Sequence, residues 1–155
     1  MIEIREDDLS GRATLELVEL HLRAMHASSP PGHVFALDTS GLRRDDVTVW
    51  TAWIDGEIAG MVALRRLSEG ASEVKSMRTH PRHLRRGVAA RLLDHLIAEA
   101  RARGTRRLLL ETGSGPAFDA AIALYVRRGF VPTEAFGEYE KSAFNQFFAL
   151  ELASE

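Results

Sequence analysis

Two spacings of hydrophobic positions alternate along the chain and divide it into strands and helices. IEIR (residues 2–5) alternates apolar and charged side chains and predicts a short first strand. In SGRATLELVELHLRAM (10–25) Leu15, Val18, Leu22 and Met25 recur at helical spacing, which predicts a helix with those side chains inward. SSPPG stops that helix, because proline cannot continue it and restricts the residue before it. A short helical or irregular stretch through ALDTSGLRRDD follows. VTVWTAWIDGEIAGMVAL (47–64) predicts a hairpin, two β-rich runs meeting at Asp55–Gly56, a residue pair suited to positive φ.

ASEVKSMRT (71–79) reads as a further strand ended by Pro81, and strict alternation on it sets Glu73, Lys75, Met77 and Thr79 on one face. From Val88 to Arg103 the residues Val88, Leu92, Leu96 and Ala100 mark one helical stripe, with Gly104 as the left-handed stop. RRLLLE (106–111) is almost wholly apolar, as in a buried parallel pair. DAAIALYVRRGF (119–130) is a helix with Asp119 near its start, arginines in its last turn and Gly129 as stop, and NQFFALEL (145–152) is a strand. The order β-α-α-β-β-β-α-β-α-β-β predicts an α/β domain spanning residues 1–155. Its sheet is mixed but mostly antiparallel, about seven strands with about four flanking helices, and strands on both sides of the Val88–Arg103 helix require a right-handed parallel β-α-β crossover.

Composition narrows the chemistry. Of 155 residues, 45% are hydrophobic and 27% charged, a globular balance with material for a full core. The absence of cysteine excludes disulfides, a thiolate nucleophile and Cys-based zinc sites. The histidines show no metal-ligand spacing with carboxylates, so no metal is expected. No apolar run approaches the roughly 20 residues of a membrane span. The acidic start MIEIREDDLS lacks a signal-peptide layout, and a cytoplasmic protein is expected. Net charge is −2, yet Arg78, His80, Arg82, His83, Arg85 and Arg86 fall close together. A basic patch without interleaved aromatics on a near-neutral chain suits a small polyanion better than nucleic acid.

HLRRGVAARLLDHL (83–96) places Gly87 between two arginines and the start of a helix. The N–H groups from about Arg85 to Ala89 lack intrahelical acceptors and can meet a diphosphate, with Arg85 and Arg86 adding charge-assisted contacts. Gly87 lets backbone approach a ligand without a Cβ in the way. LRRGVA (84–89) resembles the Gln/Arg-x-x-Gly-x-Gly/Ala signature of the GNAT superfamily of acyl-CoA-dependent N-acetyltransferases. LYVRRGF (124–130) is similar to that family's Leu-Tyr-x-x-x-Gly-Phe string, and the DGEIAGMVAL hairpin has the family's look. SPP, KSMRT and LETGS resemble a bacterial, YsnE-like branch.

The resemblance implies a GNAT domain with acetyl-CoA as co-substrate and an amine of a small molecule or peptide as acceptor. It implies cofactor binding by the backbone of Met77, Arg78 and Thr79 along the pantetheine and acetyl group, and by Arg85, Arg86, Gly87, Val88 and Ala89 at the phosphates. A backbone N–H in the first stretch would polarise the thioester carbonyl. Arg82 and His83 are open between contact with a 3′-phosphate and a solvated role. Two positions depart from the pattern: Leu84 stands where Gln or Arg is usual, and Phe118 where many relatives carry a pantetheine-binding asparagine.

Acetyl transfer needs a free amine lone pair, and a lysine-like ammonium at neutral pH is about 3.4 units below its pKa, a cost of about 4.6 kcal/mol. A positioned base is therefore expected. Glu73, fourteen residues before Gly87, has the spacing of the general-base glutamate in the histone-acetyltransferase-like branch; it is also readable as a strand-end carboxylate in water or paired with an arginine. Glu111, at the end of a strand, is the second candidate, and His80 titrates in the right range but reads more simply as a loop residue. Tyr125 matches the tyrosine that gives a proton to the departing thiolate in many members of the superfamily, with core packing as its alternative. The acceptor site is expected from MHASSPPGHVFAL (25–37) and EAFGEYEKSAF (134–144), with Phe35, Glu138 and Tyr139 as pocket residues. Alternatives are another acyl-CoA, a hydroxyl acceptor, or a non-catalytic acyl-CoA sensor; a homodimer is compatible with the sequence.

Overall fold

The computed structural model describes residues 1–152; the end of the predicted domain at residue 155 lies outside the described residues. Strand β1 (Ile2–Glu6) is followed by helices α1 (Arg12–Ser28) and α2 (Thr39–Leu42), then by β2 (Val47–Ile54), β3 (Glu57–Ser68) and β4 (Ala71–Thr79). A 3-10 turn (Pro81–His83) leads to α3 (Val88–Ala102), β5 (Arg107–Thr112), α4 (Pro116–Arg127), β6 (Val131–Pro132) and β7 (Gln146–Glu151). The order is the one expected from the hydrophobic pattern.

The seven strands form one sheet in the order β1-β2-β3-β4-β5-β7-β6. Every neighbouring pair is antiparallel except β4 with β5, the pair bridged by α3. Asp55 and Gly56 turn the β2–β3 hairpin with φ of 50° and 80°, the two positive values that a tight primed turn requires. Leu108, Leu109 and Leu110 are all buried, as a central strand covered on both faces demands.

Two apolar layers lie on opposite sides of the sheet. On one, α3 and α4 pack Val88, Leu92, Leu96, Ala100, Leu124 and Tyr125 against Trp50, Val62, Leu64, Leu108 and Leu110. On the other, α1 and α2 pack Leu17, Val18 and Leu42 against Val49, Met61 and Ala63. The α3 stripe is the one its spacing predicts. That of α1 is rotated: Thr14, Leu17, Val18 and His21 are buried, whereas Leu15, Leu22 and Met25 are only partly covered. The apolar count misplaced the inward face because two polar side chains on it have hydrogen-bond partners beneath the helix: Thr14 donates to Asp7 at 2.9 Å, and His21 accepts from Arg78 at 2.9 Å.

Gly60 of β3 governs how closely α3 approaches the sheet. A Cβ there would lie 2.7 Å from Val88 Cγ1 and 2.9 Å from the Arg78 carbonyl oxygen. Val88 is the first residue of α3, so a larger side chain would lift the start of that helix. Gly60→Ala is expected to cost about 1–3 kcal/mol, the usual range for overpacking a tight core, measured by urea denaturation.

Candidate active site

Strand β4 changes face partway along. Ala63 is paired with Lys75 and Met61 with Arg78, so Ser76 and Met77 together oppose Val62. Ser76 takes up the extra residue with φ of 58°, the left-handed conformation of a β-bulge. Glu73, Lys75 and Arg78 therefore share the α1 face with their partners Arg65, Ala63 and Met61. Met77 packs into the α3 layer, and Thr79, paired with Gly60, is on that side too. This corrects the expected common face for Glu73, Lys75, Met77 and Thr79: alternation holds only until the inserted residue reverses it.

The parallel pairing of β4 with β5 covers only Ala71–Glu73 against Arg107–Leu109. Beyond it the two strands diverge and open a cavity of about 300 Å³ through the sheet. Met77, Thr79, Ala89, Phe118 and Tyr125 line it toward α3 and α4, and Glu73, Lys75, Arg78, Glu111, His21 and Phe35 toward α1.

At one end lies the anion cradle. Gly87 caps α3 with φ of 79°, and Arg85 has φ of 64°. Among the described residues, the N–H groups of Arg85, Arg86 and Gly87 meet no protein acceptor, and the first turn of α3 presents its own unpaired donors. A Cβ on Gly87 would face open space, so glycine is required here by φ and not by crowding. Arg85 and Arg86 are exposed. His83 is buried, neither solvated nor free for a phosphate: its Nε2 is 3.2 Å from Glu57 and its Nδ1 is 3.3 Å from Arg86. Both ring nitrogens are used, and the ring steadies Arg86. Arg82 is exposed with Glu57 at 3.7 Å, and the Leu84 side chain is exposed where a polar residue is usual.

At the other end are the titratable groups. Glu73 is 1% exposed; its Oε2 accepts from the Tyr139 hydroxyl at 2.5 Å and from Lys75 Nζ at 3.3 Å. Lys75 also donates to the Tyr139 oxygen at 2.8 Å. Glu73 Oε1 is buried with no hydrogen-bond partner among the described residues. Burial, followed by the charge of Glu73, drives the Tyr139 phenol far above its usual range. Glu111, paired with Phe147 across the sheet, has no hydrogen-bond partner among the described residues, and burial pushes its carboxyl up to about 7. Lys75 pulls that value down and Glu73 pushes it up. The Tyr125 phenol, raised to about 12 by burial, lines the cavity wall from α4.

Tyr139 brings the β6–β7 loop over the site, and Phe35 meets its ring edge-on at 5.2 Å. Glu138 is exposed and does not line the cavity. His80 caps the 3-10 turn by accepting from Arg82 N at 3.1 Å, a loop role. Lys75 and His21 were missed as site residues. The first was legible from its place two residues after Glu73 on an alternating strand; the second was hidden because helical spacing counts only apolar positions.

Residues 14–130 match the model of the Acetyltransferase (GNAT) family. The chain belongs to that family. It is 43% identical over 151 residues to the uncharacterized N-acetyltransferase YsnE of Bacillus subtilis, covering 97% of this chain and 100% of the relative. It is 41% identical over 152 residues to the uncharacterized N-acetyltransferase YedL of Escherichia coli, covering 98% and 96%. A solved structure from Klebsiella pneumoniae, assigned to the acyl-CoA N-acyltransferases, superposes with a TM-score of 0.83 at 29% identity over 99% of both chains. The chain is thus an N-acetyltransferase by family, and the family supports acyl transfer from acyl-CoA. Among the described residues no helix is long and apolar enough to cross a membrane.

The raised carboxyl of Glu111 has a consequence for stability. Folded protein holds that proton more tightly than unfolded chain does, so its contribution is present below the unfolded value of 4.5 and is lost as pH rises through about 7. Glu111→Gln is expected to gain melting temperature relative to the parent progressively between those limits and to hold the gain above them, read by thermal denaturation across pH.

Proposed function

We propose that the chain transfers an acetyl group from acetyl-CoA to an amine of a small molecule or peptide by direct attack. The observation that carries this reading is one cavity through the splayed β4–β5 pair, with an anion cradle at one mouth and a carboxylate–lysine–tyrosine cluster at the other. The cradle fits a diphosphate in donor chemistry, since unpaired backbone N–H groups converge beside Arg85 and Arg86. The Met77–Thr79 backbone, turned by the bulge, runs along the cavity where a thioester arm would lie.

Glu73 and Glu111 line the acceptor side of the cavity. Glu73, hydrogen-bonded by Lys75 and Tyr139, receives the ammonium, while Glu111, which titrates near neutrality, takes its proton. The freed nitrogen attacks the thioester carbon; a C–N bond forms, the C–S bond breaks and the second proton leaves the nitrogen. Tyr125 donates its proton to the departing sulfur and regains one from solvent. The balance is one amide, one CoA thiol and one released proton. Arg85 to Ala89 hold the phosphates, and Phe35 and Tyr139 bound the acceptor pocket.

Calorimetric titration tests the cradle. Acetyl-CoA is expected to bind in the micromolar range, and Gly87→Ala to weaken it about tenfold, because a left-handed φ costs a residue with a Cβ roughly 1–2 kcal/mol. Unchanged affinity in that variant would remove the cradle from the site. The base is tested by pH–rate profiles: kcat/KM is expected to rise with pH and level off above about 7. Glu111→Gln should lower kcat by about 10²–10⁴-fold and flatten that rise. Loss of the rise in Glu73→Gln alone would move the base to Glu73. Binding of acetyl-CoA without turnover of any amine would favour a sensor.

A further inference from the structure

Most charged side chains on the α1 face of the site have opposite charges beside them. Glu73 is 3.3 Å from Lys75, and Arg65 is 3.7 Å from Asp46. Two groups are left over, Glu111 and Arg78. Among the described residues no carboxylate lies within 4.0 Å of Arg78. Its guanidinium donates from Nε to Nδ1 of His21 at 2.9 Å. Because that nitrogen accepts, His21 is the neutral tautomer protonated at Nε2, and it orients the guanidinium without neutralising it. Among the described residues the fork of Nη groups has no protein partner, and Arg78 lines the cavity.

A half-buried guanidinium without a counter-ion is costly, and a planar carboxylate is the group that matches its fork. The phosphates of the co-substrate are not that anion. The cradle belongs to α3, which packs on the opposite face of the sheet through Val88 and Gly60, whereas the bulge aims Arg78 at α1. Met25, Phe35 and Ala36, from α1 and the segment after it, line the same cavity and give it apolar surface beside these charged groups.

We infer that the acceptor is an amine that also carries a carboxylate, an α-amino acid with an apolar side chain, bound with its carboxylate on Arg78 and its amine toward Glu73 and Glu111. This rests on the acetyl-transfer reading of the same cavity. Arg78 is then a specificity-determining residue: it meets the part of the acceptor that does not react, and His21 is a positioning residue behind it.

The test compares phenylalanine and leucine with phenethylamine and isoamylamine, the same molecules without the carboxylate, in wild type, Arg78→Gln and Arg78→Lys. Wild type is expected to favour the amino acids by about tenfold or more in kcat/KM, the scale of a charge-assisted hydrogen bond. Arg78→Gln should bring that ratio close to one through KM, and Arg78→Lys should restore part of it. Binding is read separately from turnover by calorimetric titration of the products, N-acetylphenylalanine against N-acetylphenethylamine, with folding of each variant checked by its melting temperature. A wild-type ratio at or below one overturns the inference, as does a ratio unchanged in folded Arg78→Gln. An equal loss of acetyl-CoA affinity in that variant would overturn it by assigning the guanidinium to the co-substrate. If N-acetylphenylalanine binds in an Arg78-dependent way while no amine is acetylated, the transfer reading fails and the carboxylate site stands. Turnover of both classes without discrimination leaves acetyl transfer standing and overturns the carboxylate site. Absence of both binding and turnover overturns the inference.

Discussion

The site depends on one inserted residue in β4. Without the bulge at Ser76 and Met77, regular alternation would carry the faces of β4 unchanged past Lys75, and Arg78 would lie on the α3 side. With it, the first half of the strand presents Glu73 and Lys75 to α1, the bulge delivers Arg78 to the same side, and Met77 fills the opposite layer. The insertion coincides with the end of β4–β5 pairing after Glu73 and Leu109. A strand whose partner has departed has unpaired backbone groups, and a polar arm laid along it can take their hydrogen bonds. Bulge and splay together convert the middle of a sheet, ordinarily its most closed region, into a passage between its faces.

That passage explains the division of labour between the helices. α3 packs tightly, because Gly60 allows Val88 to approach β3, and the first turn that carries the candidate anion cradle is correspondingly fixed. α1 covers the reacting side over a layer that is partly polar, with Thr14 and His21 among its buried residues. These side chains have partners beneath them, so burying them does not leave polar groups unsatisfied.

Legibility in the sequence followed the same divide. The element order, the hairpin turn, the stripe of α3 and the apolar β5 were readable because each follows one local rule of period or turn chemistry. Gly87 and the arginines beside it were readable because a helix start is also local. The face of Met77 was not, since a bulge is set by cross-strand register, which strand period does not encode. His21 was invisible for a related reason: a buried histidine is held in place by Arg78, 57 residues away in sequence. Glu138 and Tyr139 look equivalent as neighbours in a polar loop, and only the packing of that loop over Glu73 separates the exposed carboxylate from the half-buried phenol.

The two candidate carboxylates were readable as a pair, but their unequal behaviour is a property of the assembled cluster. Both are partly or fully removed from water, and one lysine serves both. Lys75 is in direct contact with Glu73 and shares Tyr139 with it, so the charge of that lysine and the phenolic proton are committed to one carboxylate. Glu111 receives only the remainder of the lysine's field, opposed by the negative charge of Glu73, and burial then holds its proton to about 7. Two glutamates in one pocket thus have different surroundings, one bound by Lys75 and Tyr139, the other without such partners and poised to exchange a proton at neutral pH.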